Sequence, residues 1–226
     1  MTRILLVGHG RMGRLVESLA AEYGCEVAGI VDSQTSPAEV ARAPRVDVAI
    51  DFSTPSAVAV NAPVLARHGV NLVVGTTGWQ QDEAAVRTAV EQAGTGIVAA
   101  PNFSAGVVIF QAVVAKAAAL FASREDFGAF VHEAHHAAKK DAPSGTALAL
   151  KNIMERAGYG RPIDVASTRA GHIPGTHTVG FDGPAETITL SHAARDRSAF
   201  ARGALVAALW IQGKRGWFSM QDVLGL

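Results

Sequence analysis

ILLVGHGRMG, residues 4–13, sets an apolar run against three glycines, Gly8, Gly10 and Gly13, in the spacing G-x-G-x-x-G. The apolar residues read as a buried strand, and Arg11–Glu22 reads as a helix that opens on the last glycines. Glycines at these positions permit a tight turn. They also let the loop Gly8, His9, Gly10, Arg11, Met12 and Gly13 bring backbone N–H groups to a pyrophosphate at a helix N-terminus. Asp32 ends the next apolar run about 20 residues further on, where dinucleotide folds bind the adenosine ribose hydroxyls. Ser33 follows where an arginine often receives a 2′-phosphate, so NADH is favoured over NADPH. Arg11 and Arg14 are the nearest alternative sources of charge.

Outward from this stretch, short apolar runs alternate with helical ones. Residues 4–7, 26–31, 46–50, 71–74 and 96–100 read as strands, and Arg11–Glu22, Pro55–His68 and Gln80–Ala93 as helices. Wholly apolar strands separated by helices predict a doubly wound α/β domain with a parallel sheet. DFSTP (51–55, with Phe52) and GTTG (75–78, with Gly75, Thr76 and Thr77) follow the third and fourth strands, where such sheets bind ligands. The pattern changes after the helical stretch Ser104–Phe121. FGAFVHEA, THTVGF (176–181) and ETITLSH (186–192) alternate with period two and predict a mixed or antiparallel sheet in a smaller α+β domain. A last helix, Ser198–Ile211, resumes the first pattern. The expected division is therefore residues 1–105 with 196–226 for the dinucleotide domain, and 106–195 for the substrate and oligomerisation domain.

Composition narrows the classes. Of 226 residues, 49% are apolar, and 20 basic residues balance 20 acidic ones, so no global field draws the chain to nucleic acid or an anionic membrane. Cys25 is the one cysteine, which excludes an intrachain disulfide. With no signal-peptide pattern and no run long enough to span a bilayer, a cytoplasmic protein is expected.

HEAHH, residues 132–136, satisfies the H-E-x-x-H zinc pattern, but that pattern works only on a helix. The preceding FGAFV reads as strand. Continued as strand at about 3.3 Å per residue, it sets His132 and His136 about 13 Å apart, beyond one zinc ion, so no metal is expected. The next residues place His135, His136, Lys139 and Lys140 within six positions. Asp141-Ala142-Pro143-Ser144-Gly145-Thr146-Ala147 then turns into a helix, with N–H donors at Ser144, Gly145 and Thr146. Cationic side chains beside a helix start make an anion site.

E-A-H-H-x-x-K-x-D-A-P-S-G-T-A closely resembles the signature of 4-hydroxy-tetrahydrodipicolinate (dihydrodipicolinate) reductases. VGHGRMG, DFSTP, GTTG, APNFS (100–104) and the tail from FARGAL onward resemble family segments in family order. The resemblance implies nicotinamide-dependent reduction of a cyclic imine dicarboxylate. His135 is then the proton donor, Lys139 pairs with substrate and assists protonation, and His136, Ser144, Gly145 and Thr146 bind its carboxylates. It also implies that Ala100 binds the cofactor, that Asn102-Phe103-Ser104 contributes to the nicotinamide side and to a hinge, that the domains close over the substrate, and that four chains assemble through the second sheet. Arg169 and Gly171 match the family pattern, with Arg169 read as part of structure or an interface, and His177 and His192 are read as packed or hydrogen-bonded histidines. Two departures fall on the adenosine side, where NADH and NADPH are told apart: a glycine loop one residue shorter than the common one, and a trimmed region between Asp32 and Val46. A non-catalytic NAD sensor would need neither His135 nor Lys139, a zinc hydrolase would need the metal, and a same-fold reductase of another imine or acid is the nearest alternative.

Overall fold

The apolar runs of the first hundred residues become a six-stranded parallel sheet in the structure, a computed structural model that describes residues 1–35 and 45–226. Residues 36–44, most of the trimmed region, lie outside the described residues. The chain divides into two units, residues 1–105 with 197–226, and residues 106–196.

In the first unit the strands are β1 (Thr2–Val7), β2 (Cys25–Val31), β3 (Val48–Asp51), β4 (Asn71–Val74), β5 (Gly96–Ala99) and β10 (Gly216–Phe218). Their order is β10-β5-β4-β3-β1-β2, and every pairing is parallel. The order reverses between β1 and β3, the switch point at which doubly wound sheets bind ligands. The helices are α1 (Arg11–Ala20), α2 (Pro55–Arg67), α3 (Glu83–Ala93), α6 (Ser198–Trp210) and the short α7 (Met220–Leu224). Pro55 opens α2, where a missing N–H costs no hydrogen bond, and Gly94 ends α3 in the left-handed conformation. β1, β3 and β4 are buried almost throughout, which is why they read as unbroken apolar runs. β10 escaped the sequence reading because three residues carry no periodicity.

The second unit holds α4 (Ala105–Phe121), β6 (Gly128–His135), α5 (Gly145–Arg156), β7 (Ile163–Arg169), β8 (Thr176–Asp182) and β9 (Thr187–Ala193). The sheet order is β7-β6-β8-β9, with β6–β7 parallel and the other pairs antiparallel. Val131 and Phe181 on one face of this sheet pack with Phe110 and Val114 of α4 and Leu150 and Met154 of α5. Glu133 and His135 follow Ala129 and Val131 on that same face, because alternate residues of a strand share a side. The opposite face carries His132, Thr189 and Ser191, all exposed. Among the described residues no helix is long and apolar enough to cross a membrane.

Candidate active site

In the first unit the site begins with steric fit. Gly8 has φ +89°, and a Cβ there would lie 2.5 Å from the Phe52 carbonyl oxygen. A Cβ on Gly13 would lie 2.2 Å from the carbonyl oxygen of Gly8. The turn between β1 and α1 is thus closed down to bare backbone. Space around Gly10 is open and no side chain caps α1, so the first-turn N–H groups of Arg11, Met12 and Gly13 face outward uncapped. These residues fit a pyrophosphate. The His9 ring turns along α1, with Nε2 2.7 Å from Glu17 Oε2.

Around this cradle the loops after β3, β4 and β5 are tied together. Asp51, 4% exposed, accepts on Oδ1 from the Ser53 N–H (2.9 Å), the Ser53 hydroxyl (2.7 Å) and the Thr76 hydroxyl (2.7 Å). Burial pushes its carboxyl above the ordinary range, and the bonds from Ser53 and Thr76 oppose that. The Thr76 hydroxyl also accepts the Ser53 N–H at 2.8 Å, so it is already engaged at both ends. The Phe52 ring fills the place a Gly75 side chain would take and meets Phe103 edge-on at 6.1 Å. Phe103 is 1% exposed and stands behind Phe52, so its side chain supports the cleft without lining it. Asn102 Oδ1 accepts the Ser104 N–H at 2.8 Å. Thr76, Thr77 and Ala100 come together with Trp79 and Trp217 around a hollow of about 100 Å³. Neither tryptophan was singled out from sequence, and Trp217 arrives on the unforeseen β10. Asp32 stands at the end of β2, with Oδ1 accepting the Gln34 N–H at 2.9 Å.

In the second unit the first four of the H-E-x-x-H letters, His132 to His135, run along β6, and His136 lies just past its end. His132 Nε2 lies 3.0 Å from the Thr168 hydroxyl on the open face, while Glu133 is fully buried on the other. Glu133 is the residue that sequence reasoning missed. Its Oε2 lies 2.5 Å from His135 Nδ1 and accepts Arg169 Nη1 at 2.9 Å, and its Oε1 accepts Arg169 Nη2 at 2.7 Å and the Ser144 N–H at 3.2 Å. Burial pushes this carboxyl up, but bonds from Arg169, Ser167, His135 and Ser144 outweigh it and hold it at about 2. An ionised carboxylate only accepts, so the His135 Nδ1 carries the hydrogen and Nε2 is the nitrogen turned away from Glu133. A Cβ on Gly175 would lie 3.1 Å from that Nε2. The signal for Glu133 was present: period two from Ala129 and Val131 puts a carboxylate on an apolar face, and such a group is paired.

The other expected site residues gather at the same end of β6. Lys139 Nζ donates to both oxygens of Asp141, at 2.7 and 2.9 Å. The bond from Lys139 holds the Asp141 carboxyl below its usual range. His136 begins the turn that leads to Lys139, its carbonyl accepting the Lys139 N–H. Ser144 differs from expectation. It is the N-cap of α5, 2% exposed, with its N–H given to Glu133 and its Oγ accepting the Ala147 N–H at 3.2 Å. The N–H bond to Glu133 takes the Ser144 donor, so Gly145 and Thr146, the first residues of the helix, are left to offer N–H groups. Arg169 holds Glu133 through both Nη atoms.

His177 is packed, 6% exposed, with Nε2 3.0 Å from the Ser144 Oγ, and His192 lies against Phe110. Burial, helped by His135, His192 and Lys139 and opposed by Glu133, pushes His177 down to about 4. Between its ordinary value of 6.5 and that value, the unfolded chain binds a proton that the folded chain excludes. Stability is therefore expected to fall by roughly 3 kcal/mol as pH drops through this window. A further loss begins below about pH 4.5 as Glu133 protonates in the unfolded chain. Urea midpoints across pH 7 to pH 4 check this, and a His177→Gln variant should flatten the upper limb. An unchanged slope in that variant would remove His177 as its source.

A glycine cradle at the switch point of a parallel sheet, with a second unit built around an anchored imidazole, defines a Rossmann-type, nicotinamide-dependent oxidoreductase. More narrowly, the chain belongs to the dihydrodipicolinate reductase family: the family's N-terminal model matches residues 2–103 and its C-terminal model residues 106–224. It is 35% identical to a 4-hydroxy-tetrahydrodipicolinate reductase of Christiangramia forsetii, over 98% of this chain and 97% of that protein. A chain of this length therefore lies within the family's range. It is 40% identical to the protein of the same name from Methanoregula boonei, over 100% of this chain and 99% of that protein. In fold it resembles a dipicolinate-bound dihydrodipicolinate reductase from Paenisporosarcina sp. TG-14, with TM-score 0.86, 20% identity and 98% coverage of both chains.

Proposed function

We propose that the chain reduces 4-hydroxy-tetrahydrodipicolinate to tetrahydrodipicolinate, with loss of water overall, in diaminopimelate and lysine biosynthesis. The observation that carries this reading is His135, anchored through Nδ1 on a buried carboxylate and followed by the cationic turn to Lys139 and the open start of α5. The nicotinamide, when bound, supplies the hydride. Arg11, Met12 and Gly13 hold its pyrophosphate, and Thr77, Ala100 and the backbone of Thr76 line the hollow beside it. Hydride addition leaves an electron-rich, enamine-like species, and His135, entering the step as the imidazolium, gives it the Nε2 proton and is left neutral. The ring keeps its Nδ1–H on Glu133 throughout. Lys139 leaves Asp141 to pair with a substrate carboxylate, and His136 with the N–H groups of Gly145 and Thr146 binds the other. Ser144 shapes that helix start from below.

Asp32 followed by Ser33 supports a preference for NADH. The open polar face of the mixed sheet, with His132, Thr189 and Ser191 exposed, supports assembly of four chains through it. The single cysteine, buried and unpaired, suits a cytoplasmic enzyme. The test is oxidation of NADH and of NADPH, followed separately, with freshly generated hydroxy-tetrahydrodipicolinate, on protein eluting at four times the 23.5 kDa chain mass. Turnover with NADH the better donor is expected. No oxidation of either cofactor sinks the reaction, an NADPH preference sinks only the role given to Asp32, and a monomer sinks the assembly.

A further inference from the structure

We infer that Glu133 and Arg169 act as one positioning pair, which sets the tautomer and orientation of His135 and ties down the turn that carries Lys139. Three observations converge on it. First, the carboxylate is fully buried and is shared between the His135 Nδ1 and a two-pronged contact with the guanidinium, 2.9 and 2.7 Å. One oxygen, Oε2, bridges His135 and Arg169, so the ring cannot turn about its χ2 without losing the bond. Second, the four Nη hydrogens of Arg169 are committed within the protein, two of them to groups other than Glu133. Nη1 also donates to the Thr168 carbonyl at 2.8 Å, and Nη2 to the Asp141 carbonyl at 2.5 Å. Among the described residues Nε is buried without a hydrogen-bond partner. Third, Asp141 is the residue whose carboxylate holds Lys139 Nζ. The guanidinium therefore braces, from a neighbouring strand, both the donor imidazole and the ammonium beside it.

Register makes this possible. β6 and β7 run parallel with Glu133 opposite Ser167 and His135 opposite Arg169. The arginine lies level with the histidine and reaches back two residues to the glutamate, so histidine and arginine flank one carboxylate. The Ala170 N–H donates to the His135 carbonyl at 3.0 Å, and the Ala137 N–H to the Gly171 carbonyl at 3.2 Å, which carries the strand pairing into the turn. Neither Glu133 nor Arg169 touches the reacting atoms in this assignment. Both are positioning residues for a donor that acts through Nε2.

The test rests on the proposed reaction for its kinetic half only. Removing one partner leaves a buried charge unpaired and endangers the fold, so the decisive variant replaces both with apolar residues of similar volume, Glu133→Leu with Arg169→Met. Glu133→Gln is the milder companion. In protein labelled with ¹⁵N-histidine, the wild-type His135 should show the fixed Nδ1–H pattern, and the double variant a mixture of tautomers. The kcat should fall by roughly 10- to 100-fold, by analogy with the loss when the outer partner of a metal-bound histidine is removed, with NADH affinity unchanged. A folded double variant that keeps the fixed tautomer or the wild-type kcat overturns the inference. If wild-type protein does not turn over the proposed substrate, the reaction fails, while the tautomer measurement still decides the positioning role.

Discussion

Replacing His135 by Gln is expected to lower kcat by about 10²–10⁴-fold, the usual worth of a positioned acid. Glutamine is a sharp substitution because its amide N–H₂ still donates to Glu133, so the buried carboxylate keeps a partner and the fold is retained. What is lost is a group that gives up a proton from the position Nε2 holds beside Gly175. NADH affinity should not move, because the glycine cradle belongs to the other unit. A His136→Gln variant should differ in kind, raising KM more than it lowers kcat, since a carboxylate-binding residue contributes to ground state and transition state alike. Steady-state kinetics and NADH titration of both variants make the comparison. A His135→Gln enzyme within a few fold of wild-type kcat would remove His135 as the donor.

Gly203→Ala is expected to destabilise the first unit by about 3 kcal/mol or more, although helix propensity alone predicts a gain of about 1 kcal/mol. Gly203 sits inside α6, where alanine is ordinarily the better residue. A Cβ there, however, would stand 1.7 Å from the Phe103 carbonyl oxygen, which is backbone and has no rotamer to escape through. The helix would have to move off the segment Asn102-Phe103-Ser104 that follows β5. Because Phe103 backs Phe52, and Phe52 closes on Gly8 and Gly75, the shift should reach the cofactor loops as well. Thermal unfolding should show a midpoint lowered by roughly 6–12 °C in a chain of this size, with weaker NADH binding. An unchanged or raised midpoint would mean that α6 has slack the structure does not show.

The doubly wound sheet and its cradle were legible because their causes are local. A buried parallel strand announces itself as an apolar run, and a turn that admits only backbone announces itself as Gly8, Gly10 and Gly13 within six residues. The start of α5 was legible for the same reason, since Asp141 to Ala147 is a capping sequence complete in seven residues. The strand reading of FGAFV rests on equally local grounds, and β6 runs from Gly128 to His135. Ser144 shows the limit of the same locality. Sequence shows that its N–H sits at a helix start, and nothing nearby shows that Glu133, 11 residues earlier, takes it.

What the chain's order of residues settled, then, was each element and the chemistry carried within one turn or loop. Tertiary structure decided the partnerships: Arg169 with Glu133 across 36 residues, Phe103 with Gly203, and β10 beside β5. The reason is physical. Propensity, capping and hydrophobic period act between near neighbours, whereas an ion pair or a steric contact depends on which face a residue takes and on the register at which two strands meet. The imidazole could be named from HEAHH, but the carboxylate that orients it and the arginine that fixes the carboxylate required the fold.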